Sequence, residues 1–188
     1  MTSLERVDWA ALPAPVDDGG ADHLVGLRLP SIELPSTDGT LLDLSALCGL
    51  MVIYAYPMTG RPDAKLPEGW DTLPGARGCT PQACAFRDHF SDISAMGVSH
   101  LFGISTQDTA YQREAVERLH LPYQLLSDAS LNLSTALRLP TFVVKDVTLL
   151  KRLTLIVADA QIAHVFYPVF PPDRSATDVV EWLSRRRQ

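Results

Sequence analysis

The chain has 188 residues, of which 46% are hydrophobic, and a formal net charge of −6. That length supports one domain with a proper core, and that apolar share excludes a disordered chain. The acidic balance argues against nucleic acid as a main partner, because phosphate binding needs a basic surface, and no apolar run is long enough to span a membrane.

The stretch Met1 to Asp22 lacks the hydrophobic core of a secretory signal. Three cysteines, an odd number, do not suggest a secreted disulfide framework. A cytoplasmic protein is expected, where thiols stay reduced and a cysteine pair tends to be catalytic. Arg185-Arg186-Arg187 reads as solvation of a helix C-terminus.

In chain order, residues 1–25 read as an irregular N-terminal arm, pinned to the body by Trp9, Leu12 and Pro15. From Gly26, short extended pieces flank a turn at Thr37-Asp38-Gly39-Thr40. Met51 to Tyr56 is a continuous apolar run of strand-like length and β-branched content, so it reads as a buried central strand ended by Pro57. Met58 to Ala76 carries three prolines and three glycines and reads as a loop. Apolar residues Ala83, Phe86, Phe90 and Ile93 recur at helical spacing and predict one helix from Pro81 to about Met96, ended by Gly97.

His100 to Ser105 reads as the next parallel strand, and Thr106-Gln107-Asp108 starts a helix through about Leu119. Tyr123 to Asp128 gives a short strand and Leu131 to Leu137 a short helix. Thr141 to Val144 and Leu153 to Val157 are strands, and Ile162 to Tyr167 returns antiparallel after a turn at Asp159-Ala160-Gln161. A last helix buries Val179, Val180, Trp182 and Leu183. Strand–helix alternation closed by a hairpin and a helix is the thioredoxin-like α/β plan, a central mixed sheet flanked by helices.

Chemistry concentrates between Pro74 and Asp88. Cys79 follows a Pro/Gly-rich loop, with Thr80 as the expected N-cap and Pro81 at the first helical position. A thiol there faces the unpaired N–H groups of the first turn and the positive end of the helix dipole, which favour the thiolate. Arg77 is a local cation. Cys84 lies five positions on. On an intact helix that spacing puts the Cα atoms about 8 to 9 Å apart, whereas a disulfide wants roughly 4.4 to 6.8 Å. A redox cycle that unwinds the helix start fits the pair better than a static bridge. Two ordinary cysteines, one in a loop and one in a helix, are the plainer alternative.

Gly78-Cys79-Thr80-Pro81-Gln82-Ala83-Cys84, followed by Phe86-Arg87-Asp88, resembles the peroxiredoxins. Within them it is most similar to the bacterioferritin comigratory protein or Q-type branch. The likeness runs from about Gly26 to the C-terminus and implies a thioredoxin-like domain over 26–188 with an N-terminal hairpin. It also implies a peroxidase with no cofactor. Cys79 attacks hydrogen peroxide or an organic hydroperoxide and becomes a sulfenic acid. Cys84 resolves it as a disulfide, and thioredoxin or a similar dithiol reduces that disulfide. The branch includes monomers and homodimers.

The resemblance also implies site residues. Arg152 matches the family's strand-borne arginine, Pro57 the proline that opens its active-site motif, and Gly78 and Cys79 supply backbone N–H donors for peroxide oxygen. In the family the proline precedes the cysteine as Pro-x-x-x-Thr-x-x-Cys. Here the offset is 22 positions (79 − 57), so residues 58–76 read as an insertion. Ala76 stands where the threonine is expected and has no hydroxyl. Thr72 is preferred over Thr59 as its replacement, and Trp70 is read as an anchor of the loop rather than a lid. Arg87 is read as a helix-surface ion-pair residue near Ser91 and Asp92, and Cys48 as a small structural hydrophobe. The five histidines are scattered without ligand spacing, so no metal is expected.

Two other functions fit the same fold. A thiol–disulfide oxidoreductase or redox sensor would pass oxidation to a partner protein, although the Cys-x-x-Cys signature is missing. A non-catalytic binding module would leave Cys79 an ordinary thiol.

Overall fold

A computed structural model describes residues 7–186. The first six residues of the expected arm, Arg187 of the basic run and the final glutamine lie outside the described residues.

Strands β1 (Glu33–Pro35) and β2 (Leu41–Asp43) form the expected N-terminal hairpin. β3 (Leu50–Ala55) follows and is the middle strand of a five-stranded sheet. After the long loop come α1 (Cys79–Asp88), α2 (Phe90–Ala95) and β4 (Val98–Ser105). Next are α3 (Thr109–Leu119), β5 (Leu125–Ser127) and α4 (Asn132–Leu137). A second hairpin, β6 (Thr141–Val144) and β7 (Val147–Leu150), precedes β8 (Leu153–Ala158), β9 (Gln161–Phe166) and α5 (Ser175–Arg186).

The sheet order is β5-β4-β3-β8-β9. β3, β4 and β5 run parallel, while β8 is antiparallel to both β3 and β9. This mixed sheet is the expected thioredoxin-like arrangement. Because side chains alternate along a strand, β3 feeds two cores. Met51, Ile53 and Ala55 join the cluster under the N-terminal hairpin and α4, with Leu34, Leu44, Leu133 and Leu137. Val52 and Tyr54, with Tyr56 beyond the strand end, join the cluster under α1, α2 and α5, with Ala83, Phe86, Ile93 and Val179.

Tyr54 locks α1 to the sheet. Its ring stacks on Phe86 with centroids 4.5 Å apart, and its hydroxyl meets that of Tyr123 at 3.1 Å. Tyr123 in turn donates to the Ala83 carbonyl at 2.8 Å. The space for the Tyr54 ring comes from Gly103 on the neighbouring strand. A Cβ there would stand 2.5 Å from Leu125 and 2.6 Å from the Tyr54 ring.

Four local expectations are corrected. The helix expected over 81–96 is two helices that share His89 as a boundary, with φ −96° and ψ 6°. Thr80 is not the N-cap. Gly78 holds that place with φ +105°, a left-handed conformation that glycine adopts without strain, and the helix begins at Cys79 itself. The β6–β7 hairpin turns on Lys145 and Asp146, both at positive φ, without the Asn-Gly or Gly signal that marks such turns in sequence, so Val147–Leu150 escapes assignment. Cys48 is exposed and contributes nothing to the core. The arm is irregular apart from a 3-10 turn at Trp9–Ala11, yet its end enters the core, where Ala21 and Leu24 are buried.

Candidate active site

The sheet register explains how a distant arginine reaches Cys79. Ala55, the last residue of β3, pairs with Leu153, the first of β8. Arg152 therefore stands just beyond the C-terminal end of β3, where α1 begins, although 73 residues separate it from Cys79. Its Nη2 donates to Cys79 Sγ at 3.2 Å. The same nitrogen approaches the carbonyls of Gly75, Ala76 and Arg77 at 3.2, 3.3 and 3.2 Å, so one guanidinium end gathers the whole turn ahead of the cysteine. Nη1 donates to Gln82 Oε1.

Cys79 is 4% exposed and Arg152 3%. Arg152 makes no salt bridge among the described residues; its partners are carbonyls, an amide and the sulfur. A buried guanidinium without a carboxylate is costly unless another anion answers it. The sulfur is the group at hand that can ionise. Pro81, third in the helix, has no N–H, so the orphan first-turn donors next to the sulfur are those of Cys79 and Thr80.

Gln82 is a site residue that the sequence reading passed over. It is fully buried, accepts from Arg152, and donates from Nε2 to Ser175 Oγ at 3.3 Å. Ser175 is also within 3.0 Å of Thr154 Oγ1, on the strand that follows Arg152. This chain of polar groups fixes the guanidinium against α1 and α5. One signal was present: Gln82 lies three residues after Cys79, on the same helix face.

Cys84 is half-buried on α1, five positions from Cys79, and all three cysteines are free. With the helix intact through both residues, the two sulfurs do not bridge. Burial pushes the Cys84 thiol up from its ordinary value, an effect that Arg87 partly offsets. Arg87 itself pairs with Asp88 at 2.9 Å and donates to the Leu119 carbonyl at 2.8 Å, rather than meeting Ser91 or Asp92.

A cavity of about 190 Å³ opens beside Cys79. Gly78 and Thr80 line it from the helix start, and Met58, Leu66 and Trp70 give it an apolar wall from the loop between β3 and α1. Trp70 is buried against Ala76 and Leu149, which agrees with an anchor, and it also faces the site. Pro57 and Thr72, both expected at the substrate, are not in this wall. Pro57 is buried directly behind Tyr56. Thr72 is exposed, and its hydroxyl donates to the Gly69 carbonyl at 2.7 Å, closing its own turn. Thr59 is buried and bound to Gln107 Oε1 at 3.1 Å. Thr80 is the residue with a side-chain hydroxyl in the wall.

Among the described residues no cluster of three or more His, Cys, Asp or Glu could hold a metal ion, and no helix is long and apolar enough to cross a membrane.

The Redoxin family model matches residues 24–180. Among curated proteins, the chain is 36% identical over 122 residues to peroxiredoxin bcp1 of Schizosaccharomyces pombe, covering 62% of this chain and 54% of that protein. It is 36% identical over 105 residues to the putative peroxiredoxin bcp of Coxiella burnetii, covering 55% of this chain and 59% of the other. The matches thus span about half the length of these curated relatives. Among solved structures, peroxidoxin BcpB of Mycobacterium tuberculosis superposes with a TM-score of 0.70 at 26% identity, over 87% of this chain and 98% of that one. Peroxiredoxin Q of Xanthomonas campestris shares the fold, with a TM-score of 0.65 at 19% identity over 94% and 99% of the two chains.

Proposed function

The chain belongs to the Redoxin family, in its bcp and Q-type peroxiredoxin branch, and we propose that it is a thiol-dependent peroxidase acting on hydrogen peroxide and organic hydroperoxides. The observation that supports this reading best is the buried Arg152 guanidinium 3.2 Å from Cys79 Sγ, with no carboxylate among the described residues to neutralise it.

In the proposed cycle the Cys79 thiolate attacks the terminal peroxide oxygen. The S–O bond forms as the O–O bond breaks, and the departing alkoxide or hydroxide takes a proton. Arg152 and the first-turn N–H groups of Cys79 and Thr80 stabilise charge on the two oxygens. The first turn of α1 then unwinds. The Cys84 thiolate attacks the sulfenic sulfur, and the oxygen leaves as water. A thioredoxin-type dithiol reduces the disulfide by exchange. Three free thiols and a cycle that consumes dithiol suit a reducing compartment, and we assign the protein to the cytoplasm. The proposed organisation is a single thioredoxin-like domain over 26–188, preceded by the arm and interrupted by the insertion at 58–76.

The test is peroxide consumption coupled to thioredoxin and its reductase. The Cys79→Ser protein is expected to show no turnover. The Cys84→Ser protein is expected to consume one equivalent of peroxide and stop. Sustained turnover by Cys79→Ser protein overturns the assignment.

A further inference from the structure

Residues 7–18 cross the loop that carries Cys79, and they lie outside the stretch matched by the Redoxin model, which begins at residue 24. Trp9 heads the 3-10 turn of this arm. Its indole Nε1 donates to Asp173 Oδ2 at 2.8 Å. Its ring meets Phe170 edge-on, with centroids 6.2 Å apart. A Cβ placed on Gly78 would stand 2.8 Å from Trp9 Cη2 and 2.5 Å from Pro172 Cγ. The indole and the proline ring therefore close on the backbone one residue before Cys79. Further along, Pro15 packs on Gly75, whose N–H donates to the Pro13 carbonyl at 3.4 Å. Asp18 then fastens the arm, accepting from Lys151 at 2.5 Å and from Tyr167 at 2.6 Å.

Building on the peroxidase reading, we propose that Trp9 is a positioning residue for Cys79. It holds Gly78 and the first turn of α1 in the peroxide-reactive form, and so sets the competition between disulfide formation and further oxidation. The Cys79–Cys84 bond requires that first turn to come off the helix. Gly78 must move with it, and the indole and Pro172 stand on Gly78. While the indole is seated, the sulfenic acid stays beside Arg152 and away from Cys84. A second hydroperoxide then converts it to sulfinic acid: the terminal oxygen passes to sulfur, the O–O bond breaks, and the alcohol or water leaves. Once the indole lifts, Cys84 attacks, the S–S bond forms, and the sulfenic oxygen leaves as water. A contact that stabilises one conformer shifts the equilibrium against the other by the same factor, and slows passage to it by up to that factor, the full amount when the contact is already lost in the transition state.

The experiment compares wild type with Trp9→Ala, Trp9→Phe and Asp173→Asn proteins. Rapid mixing with hydroperoxide follows the first oxidation and the disulfide step separately, and intact mass gives the sulfinic fraction per turnover. Trp9→Ala is expected to speed disulfide formation by about three- to tenfold, lower the sulfinic fraction to match, and slow the first oxidation. General loosening of the structure would instead speed the disulfide step in every variant in proportion to the stability lost in a denaturant titration, whatever the contact with Gly78. Trp9→Phe loses both Cη2 and the indole N–H and should shift the partition part of the way toward Trp9→Ala, while Asp173→Asn, which keeps the ring on Gly78, should shift it less. The wild-type-minus-Trp9→Phe fluorescence should change when the disulfide forms, and not in Cys84→Ser protein. Should Trp9→Ala fail to fold, the Trp9→Phe and Asp173→Asn partitions decide. Unchanged partition in the folded variants overturns the proposal while leaving the peroxidase intact. Absence of any sulfenic acid on Cys79 in wild type overturns the peroxidase reading instead.

Discussion

Replacing Arg152 by lysine separates charge from shape at the site. The arginine uses two nitrogens at once: one on Gln82, the other on Cys79 Sγ and on three loop carbonyls. Lysine keeps the positive charge but is a single point donor on a flexible stem. It cannot hold Gln82 and the 75–77 turn while also facing the sulfur. A hydrogen bond to a charged group contributes about 1.5–3 kcal/mol. Losing the one aimed at the thiolate should therefore slow the reaction of reduced protein with hydroperoxide by roughly 10- to 100-fold, at 1.4 kcal/mol per factor of ten. Single-turnover stopped flow, with circular dichroism to establish folding, measures this. Arg152→Ala should lose still more, because the carbonyls and the thiolate are then left without a donor. A folded Arg152→Lys protein reacting within about twofold of wild type would refute the claim that the planar fork matters.

Cys84 gives a pH dependence with a definite sign. Its thiol is pushed up by burial, and in the proposed cycle only its thiolate attacks the sulfenic sulfur, so the disulfide step should keep accelerating up to and beyond the ordinary thiol value of 9.0; a rate already flat at neutral pH would contradict the burial argument. Gly103→Ala should cost about 1–3 kcal/mol of stability in a denaturant titration, since its Cβ meets the Tyr54 ring at 2.6 Å and Leu125 at 2.5 Å. Thr72→Val should leave the peroxide rate within about twofold of wild type, because the lost hydroxyl bond to Gly69 lies in an exposed turn and is worth only about 0.5–1.5 kcal/mol; a large loss of rate would return Thr72 to the substrate.

A helix opening close after Cys79, the buried middle strand and the order of elements were legible because each rests on neighbours in the chain. β3 announces itself as a run of apolar residues, and α1 as a Gly-Cys-Thr-Pro junction followed by helical spacing. The boundaries that failed, at Gly78, His89 and Lys145-Asp146, are places where one residue's φ decides the outcome and packing selects that φ. For the site, sequence offered Cys79, Cys84 and, by resemblance, Arg152. It named Thr72, whose hydroxyl is satisfied inside its own turn, and passed over Gln82, whose partners come from β8 and α5.

By itself, then, the sequence determined which residue could become the nucleophile, because a helix start and its unpaired N–H groups are local. Tertiary structure alone decided what surrounds that sulfur. The pairing of Ala55 with Leu153 carries Arg152 to it, Gln82 and the loop carbonyls hold the guanidinium there, and Trp9 closes over Gly78 from 69 residues away (78 − 9). Those contacts follow from strand order and register, which no short stretch of chain encodes.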